Sequence, residues 1–533
     1  MSARFEDPIL LEVYSNRLSA IAEEMGVLLQ RTAFSPNIRE RRDYSCALFG
    51  PNGDLVAQAA HIPVHLGSMA TAVAAVKQVL ELGPGDAAIV NDPYAGGTHL
   101  PDVTVVAAAA LQEGCPGFFV ASRAHHADIG GPRPGSMPLV DHIDEEGLRL
   151  APQLLVRAGR LESGLWRRLL GAVRAPHERA GDFEAQLAAC RTGALRLTEL
   201  VGRDGFEQVQ GYAGALQDHA ERCLRDLIRR LPDGTYGFED LLDGDGLGAN
   251  DLPIRVTLRI QGDTLEVDFA GTAPQTRGPV NAPLAVTTAA TLYVLRCLAD
   301  FPLPVNAGLL RPVRILTPPG SLVHALPPAP VGAGNVETSQ RIVDVLLGAF
   351  AQALPERIPA ASQGTMNNLL IGRGSPQEQG SFAYYETIAG GAGAGPGWDG
   401  ESGIQIHMTN TRNTPVETLE SVYPLRVLEY RLRRGSGGAG RWRGGDGLVR
   451  AVQVLEDGLE LTLITERRRR GPYGLAGGSP GQPGENTLRH ADGSEETLPP
   501  KVERTLNAGD TVVIATPGGG GYGKTAAATA STS

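Results

Sequence analysis

The sequence lacks the marks of several common protein classes. Its five cysteines are odd in number and form no C-x-x-C pair, which argues against a disulfide framework and a cysteine-based zinc knuckle. A net charge of −11 disfavours a nucleic-acid partner. No apolar run approaches the roughly 18 residues of a membrane span, and Glu6 and Asp7 interrupt the apolar core that a signal peptide needs. These absences predict a cytoplasmic protein that does not enter the membrane.

Glycine and proline are plentiful, whereas aromatic residues are few. The chain has 68 Gly and 38 Pro but only 5% aromatics, a composition that predicts many turns and ordered loops. With 533 residues, it can hold about three or four core-bearing units. The periodicity predicts an α+β fold in several subdomains, with mixed or antiparallel sheets, a helical middle segment and a β-rich, Gly-rich C-terminal part. We expect an N-terminal region at 1–240, a C-terminal region at 241–523 and a disordered tail at 524–533.

Several elements can be predicted individually. Asp7 before Pro8 is a helix start, and apolar residues at helical spacing continue to about residue 31. Strands at 45–49 and 55–60 flank a Pro-Asn-Gly-Asp turn and predict a hairpin, and a second hairpin is expected at 449–464 around Asp457-Gly458. A helix is expected from about residue 339, with Thr338 as its N-cap.

The stretch 91–138 concentrates imidazole and carboxylate groups. Two apolar runs, 103–111 and 118–121, read as buried strands, and polar residues adjoin each of them. Antiparallel pairing would bring His99, Asp102 and His125 to the same end of the sheet. An H-x-x-D pattern alone is weak evidence, but the density of such residues among glycines indicates a site for a divalent ion such as Zn, Mn or Fe.

One motif is misleading. Residues 518–525, GGGGYGKT, match the phosphate-binding pattern G-x-x-x-x-G-K-[ST]. A phosphate-binding loop of that kind needs a following helix and further parallel strands, yet only eight residues follow Thr525. The context therefore argues against a nucleotide site on this chain.

The combination of motifs resembles the hydantoinase B family. The segments that carry the resemblance are ERRDYSCALF, GDLVAQAAHIPVHLGSM, NDPYAGGTHLPDV, AHHADIGG, GNVETSQR, MTNTRNTPVE, GGAGRWRGGDGL and GPYGLAGGSPG. The family holds the B subunits of ATP-dependent N-methylhydantoinase, 5-oxoprolinase and caprolactamase-type enzymes, and is related to the acetone carboxylase alpha subunit. The resemblance extends from about Pro8 to Gly523.

The resemblance implies a division of labour between two subunits. A hydantoinase A-type partner binds ATP and phosphorylates the substrate oxygen, and the B-type chain supplies a metal site where the activated species is attacked. The family motifs place the metal ligands at His99 and Asp102, with His125 preferred over His126 because it comes first in the H-x-A-D-I-G-G run. We therefore expect a hetero-oligomeric hydrolase of cyclic amides, with ATP on the partner.

Three further residues are candidates for roles in the chemistry. Asp43, in the RRDYS motif, is a candidate base or additional ligand, and His61 is a weaker candidate, as is His65 in the same HIPVH segment. Asp128 is a candidate for orienting His125. Two alternative functions remain open: the alpha subunit of an ATP-dependent ketone carboxylase, which the shorter length disfavours, and a non-catalytic scaffold, which the intact His/Asp set disfavours.

Overall fold

The computed structural model describes residues 5, 7–59, 62–110 and 117–525. His61 lies outside the described residues, as do 111–116 and, from residue 526 onward, the predicted disordered tail. No helix in the described ranges is long and apolar enough to cross a membrane.

The helices cluster in the first half of the chain, as the periodicity predicts. The described α-helices are α1 Pro8–Thr32, α2 Pro36–Arg39, α3 Ser68–Val79, α4 Ile143–Glu146, α5 Ser163–Ala172, α6 Pro176–Asp204, α7 Phe206–Arg229, α8 Leu284–Leu298, α9 Ser339–Ala353 and α10 Val416–Val422. The start of α1 is confirmed, because the Asp7 carboxylate accepts hydrogen bonds from the backbone N–H groups of Ile9 and Leu10.

The strands come in two series, separated by the helical middle segment. They are β1 Tyr44–Phe49, β2 Leu55–Gln58, β3 Ala87–Val90, β4 Asp102–Ala109, β5 Phe118–His125, β6 Gln153–Arg157, β7 Arg160–Leu161, β8 Gly234–Gly244, β9 Asn250–Gln261, β10 Thr264–Asp268, β11 Val313–Leu316, β12 Asn368–Arg373, β13 Phe382–Glu386, β14 Leu425–Arg433, β15 Gly447–Val454, β16 Leu459–Ile464, β17 Glu485–Arg489, β18 Glu495–Leu498, β19 Lys501–Leu506 and β20 Thr511–Ala515. The predicted hairpin of β1 and β2 is confirmed.

These strands form four sheets, which confirms the predicted α+β class. Their orders are β2-β1-β5-β4-β3-β6-β7, β11-β10-β9-β8, β13-β12-β16-β19 and β14-β15-β20-β17-β18. Neighbouring strands are antiparallel except for β10 and β11, which are parallel. The helix α6 covers β4 and β5, and the Gln186 amide ties it to them by donating to the carbonyls of Val103 and Ser122.

The second predicted hairpin, at 449–464, is wrong. A turn does connect β15 to β16, but β15 pairs with β14 and β20, whereas β16 pairs with β12 and β19 in another sheet. Both strands are almost wholly buried. Each therefore needs a hydrogen-bonding neighbour on both sides, and distant strands supply them.

Thr338 does not cap α9. Its backbone is already helical, with φ −64° and ψ −35°, and its hydroxyl donates to the Val280 carbonyl instead. A π-helical turn at Gly334–Thr338 runs directly into α9. The predicted N-terminus therefore lies inside a longer helical segment.

Glycine-rich segments pack side by side in the C-terminal part, and we call 390–394, 436–447, 471–484 and 517–523 the glycine bundle. Their backbones bond to one another: the Gly519 N–H donates to the Gly445 carbonyl, and the Gly438 N–H donates to the Gly519 carbonyl. A Cβ at Gly519 would lie 1.9 Å from the Ala392 carbonyl oxygen, so only glycine fits there. The backbone N–H groups of the GGGG run are thereby committed to protein carbonyls rather than open to a phosphate.

Apolar packing is continuous across the expected boundary near residue 240. Leu224 and Leu227 of α7 belong to the same buried cluster as Val256 and Leu258 of β9. The division into 1–240 and 241–523 remains a prediction.

Candidate metal centre

The register of two central strands, β4 and β5, brings the first two site residues together. Asp102, the first residue of β4, is the direct cross-strand partner of His125, the last residue of β5. The strands hold this register because they are buried on both faces, so a slip of one residue would turn every side chain to the opposite face. His99 lies in the turn just before β4, and its carbonyl accepts a hydrogen bond from the Asp102 N–H.

Three side-chain atoms converge at this sheet end. His99 Nε2 lies 3.1 Å from His125 Nδ1, and each of these nitrogens lies 3.3 Å from Asp102 Oδ1. All three side chains are almost completely buried. Ligand atoms bound about 2.0 to 2.2 Å from one ion lie roughly 2.8 to 3.6 Å from each other at angles near 90° to 110°. The spacing therefore fits three ligands on one face of a divalent ion.

One of the three atoms, Asp102 Oδ1, also lacks a hydrogen-bond donor among the described residues, as expected for a metal ligand. Asp102 Oδ1 is buried and accepts no hydrogen bond within the described ranges, although two imidazole nitrogens face it. One carboxylate oxygen and two imidazole nitrogens suit Zn, Mn or Fe better than Mg or Ca, which prefer oxygen ligands. The residues present thus fit a transition-metal ion.

Neighbouring groups hold each ligand in orientation, as is usual around metals in proteins. His99 Nδ1 lies 3.2 Å from the Gly332 carbonyl, which selects the tautomer with its free nitrogen toward Asp102. Asp102 Oδ2 accepts hydrogen bonds from the Thr98 hydroxyl and, at 3.3 Å, from Asn335 Nδ2. The His125 ring stacks on Tyr385, with centroids 4.8 Å apart.

The charges of the cluster are strongly coupled. Burial opposes ionisation of Asp102, but the neighbouring His99 and His65 outweigh it and hold the pKa of the carboxyl well below its usual range. Burial alone would lower the pKa of His99, yet the Asp102 charge raises it. Burial lowers the pKa of His125. The carboxylate is therefore ionised and His125 favours its neutral, metal-binding form.

A second buried carboxyl anchors the turn that faces His99. Glu146 Oε1 accepts hydrogen bonds from the N–H groups of Val331 at 2.8 Å and Gly332 at 2.7 Å. Burial raises the pKa of Glu146 to about 8. Because the Gly332 carbonyl accepts from His99, this carboxyl fixes the position of a group that orients a proposed ligand.

The cluster opens on a narrow pocket. Besides Asp102 and His125, its walls combine apolar side chains with polar ones; they are Asp43, Ile62, Val64, His65, Asn335, Val336, Met366, Tyr385, Thr387, Met408 and Thr409. The Asp43 carboxylate lies 3.9 Å from the buried Arg41 guanidinium, and the Asp43 carbonyl accepts from the His125 N–H. Asp43 therefore shares a pocket with the cluster.

The other predicted residues are not all brought to this point. The Asp128 carboxylate binds Arg174 at 3.0 Å and accepts from the N–H groups of Gly130 and Gly135, so it stabilises a loop, and no contact of the described residues joins it to His125. His126 points into α6, where it contacts Gln186 and stacks on Phe183. His65 Nε2 lies 3.4 Å from Asp102 Oδ2.

Sequence reasoning missed the residues that come from the second half of the chain. Asn335, Tyr385 and the Gly332 carbonyl lie more than 200 positions from His99 and carry no local signature of a metal site. The one available signal for Asn335 is the GNVETSQR segment, whose sequence pattern predicts only a helix start.

The chain belongs to the hydantoinase B/oxoprolinase family, whose pattern it matches over residues 7–525. It is 40% identical to 5-oxoprolinase from Dictyostelium discoideum over 97% of this chain, but spans only 40% of that protein. It is 35% identical to a putative D-/L-hydantoinase B-type subunit from a Pseudomonas strain, over 97% of this chain and 90% of that one.

Two solved structures have the same fold. ATP-dependent caprolactamase from Pseudomonas jessenii is 30% identical with a TM-score of 0.90, and the match covers 98% of this chain and 93% of that one. An acetone carboxylase chain has a TM-score of 0.88 at 19% identity, covering 98% of this chain and 76% of that one, which shows a shared fold alone.

Proposed function

We propose that this chain is the metal-site subunit of an ATP-dependent cyclic-amide hydrolase. The observation that carries the proposal is the convergence of His99, Asp102 and His125 at a small pocket, in a family that includes 5-oxoprolinase and hydantoinase subunits. The fraction of 5-oxoprolinase that the chain does not cover is consistent with a separate partner, for which we propose a hydantoinase A-type ATP-binding subunit.

The proposed reaction needs both the amide and the attacking water to be activated. A cyclic amide is a poor electrophile, and phosphorylation of its oxygen by the partner makes the carbonyl carbon open to attack by water. A divalent ion held by His99, Asp102 and His125 would orient a water molecule and lower its pKa. Asp43 lines the same pocket, and we assign its carboxylate to accept the proton that this water loses and to return it to the ring nitrogen as the C–N bond breaks. The acyl phosphate that remains is hydrolysed by a second water to a carboxylate and inorganic phosphate.

The surrounding groups keep the ligands in place during turnover. The Gly332 carbonyl holds the tautomer of His99, and Tyr385 restrains the plane of the His125 ring. The low exposure of all three ligands excludes bulk water, which strengthens their interaction with a charged reactant.

Reconstitution with the A-type partner tests the proposal. We expect ATP-dependent opening of a cyclic amide when 5-oxoproline, hydantoin and caprolactam are supplied, and loss of ring opening after chelation. Carboxylation of a ketone with no ring opened would support a carboxylase instead. Ring opening that survives complete metal removal would overturn the metal mechanism.

A further inference from the structure

Asn335 lies beside the proposed metal ligands and donates a hydrogen bond to one of them, Asp102. It lies in the π-helical turn Gly334–Thr338, a type of irregularity that is frequent at functional sites. It is 3% exposed and lines the pocket together with Asp102 and His125. Its position makes it a candidate to contact whatever fills that pocket.

The orientation of the Asn335 amide follows from its neighbour. Its Nδ2 donates to Asp102 Oδ2 at 3.3 Å. A carboxylate that binds metal is ionised and has only acceptors, so the amide nitrogen must face it. The Asn335 oxygen is consequently directed away from Asp102.

That oxygen is an acceptor with no donor. Asn335 Oδ1 is buried and accepts no hydrogen bond in the part of the chain that the structure describes. Hydroxyl groups in the same wall are engaged elsewhere, since both Thr387 and Thr409 hydrogen-bond with the Thr411 hydroxyl. A buried acceptor left without a donor is costly, which points to a ligand that carries one.

We infer that Asn335 Oδ1 accepts the N–H of the amide bond that is broken, so that the enzyme selects rings unsubstituted at that nitrogen. The inference rests on the proposed function. One amide group would then contact a metal ligand through its nitrogen and the substrate through its oxygen, and would fix the distance between them. A methyl group on the ring nitrogen would remove the donor and crowd the acceptor.

The test compares rings that differ only at this nitrogen, such as 2-pyrrolidinone and N-methyl-2-pyrrolidinone or the equivalent pair for whichever ring the reconstituted complex opens. We expect wild-type kcat/KM to favour the N–H ring by about one to two orders of magnitude. In Asn335→Ala most of this preference should disappear, because turnover of the N–H ring falls while that of the N-methyl ring changes little. Asn335→Ser provides a second variant if the alanine variant is poorly soluble.

Thr98→Val is the matched control. It removes the other hydrogen bond to Asp102 Oδ2 but does not touch the pocket wall. It should lower metal affinity or rate without changing the preference between the two rings. An unchanged preference in both Asn335 variants would overturn the role of Asn335 while leaving the hydrolase intact. If wild type opened no cyclic amide at all, the proposed function would fail, and this inference with it.

Discussion

Asp102 and His125 are direct partners across β4 and β5, so the register of one strand pair fixes two of the three proposed ligands. His99 joins them from the turn that leads into β4, only three residues before Asp102. Most of the proposed metal site is therefore built locally on one sheet, and groups from more distant segments orient it.

Removing one ligand should separate the chemistry from nucleotide binding. We expect His99→Ala in the reconstituted complex to lose bound metal and to lower ring opening by several orders of magnitude, while ATP binding to the partner stays normal. Elemental analysis and a nucleotide-binding assay measure the two effects. Near wild-type ring opening in this variant would contradict the metal mechanism.

The role assigned to Asp43 can be distinguished from that of a ligand. Asp43→Asn should slow ring opening as severely as His99→Ala but keep bound metal, because an amide of the same shape cannot accept the proton. Metal content and single-turnover rates provide the comparison. Complete loss of metal in Asp43→Asn would make Asp43 a ligand rather than a base.

Glu146 offers a prediction about metal affinity. Glu146→Ala should weaken metal binding by about 10- to 100-fold, because the turn that carries the Gly332 carbonyl loses its anchor. Glu146→Gln should bind metal within a few-fold of wild type, since a carboxyl with a pKa of about 8 is mostly protonated at neutral pH and resembles an amide. Equal weakening in the two variants would argue against this anchoring role.

The same carboxyl should affect the pH dependence of folding in metal-free protein. Its pKa rises from about 4.5 in the unfolded chain to about 8 in the native one, so its contribution to stability is greatest at low pH and is lost as the pH rises through this range. The expected slope is about −1.4 kcal/mol per pH unit between those values. Denaturant titrations of Glu146→Gln should lack this slope, and a slope equal to that of wild type would be the contrary result.

The glycine bundle predicts a large difference between two Gly→Ala substitutions. Gly519→Ala would place a methyl group 1.9 Å from the Ala392 carbonyl oxygen, whereas a Cβ at Gly214, in the interior of α7, meets nothing within 4 Å. We expect Gly519→Ala to destabilise the protein by at least about 3 kcal/mol and Gly214→Ala to stabilise it by roughly 0.5 to 1 kcal/mol. Similar unfolding midpoints for the two variants would contradict the packing described here.

The chain should not hydrolyse ATP without its partner. The N–H groups of the GGGG run that precedes Lys524 are already bonded to protein carbonyls. Lys524→Ala should consequently leave ring opening by the complex unchanged. Specific ATPase activity of the isolated chain that disappears in Lys524→Ala would overturn this expectation.

Local patterns predicted local structure well. The turn residues between β1 and β2 and the capping carboxylate before α1 identified these elements, since their determinants lie within a few residues of each other. The pairing of β4 with β5 follows from the sequence for the same reason, and that pairing is enough to bring the three metal-site candidates to one end of the sheet.

Long-range partners could not be predicted in this way. The turn at Asp457-Gly458 resembles a hairpin turn, but β15 and β16 are buried and pair with strands of two different sheets. Asn335 and Tyr385 reach the cluster from the turn before α9 and from β13 of the third sheet, both far along the chain. Asp128 has the residue type of a site carboxylate, yet the buried Arg174 guanidinium 46 positions away engages it.

His99 and the Gly332 carbonyl lie 233 positions apart along the chain. His99 is therefore synthesised well before the group that orients it. At roughly 5 to 20 residues per second, the ribosome needs about 12 to 47 s to make the intervening segment. During that interval His99, Asp102 and His125 can be present on the emerging sheet without the Gly332 carbonyl, which selects the His99 tautomer, and without Asn335, which hydrogen-bonds to Asp102. An ion captured early by the proposed ligands would meet a looser and less discriminating set than the finished protein provides, so we expect the timing of metal delivery to affect which metal is bound.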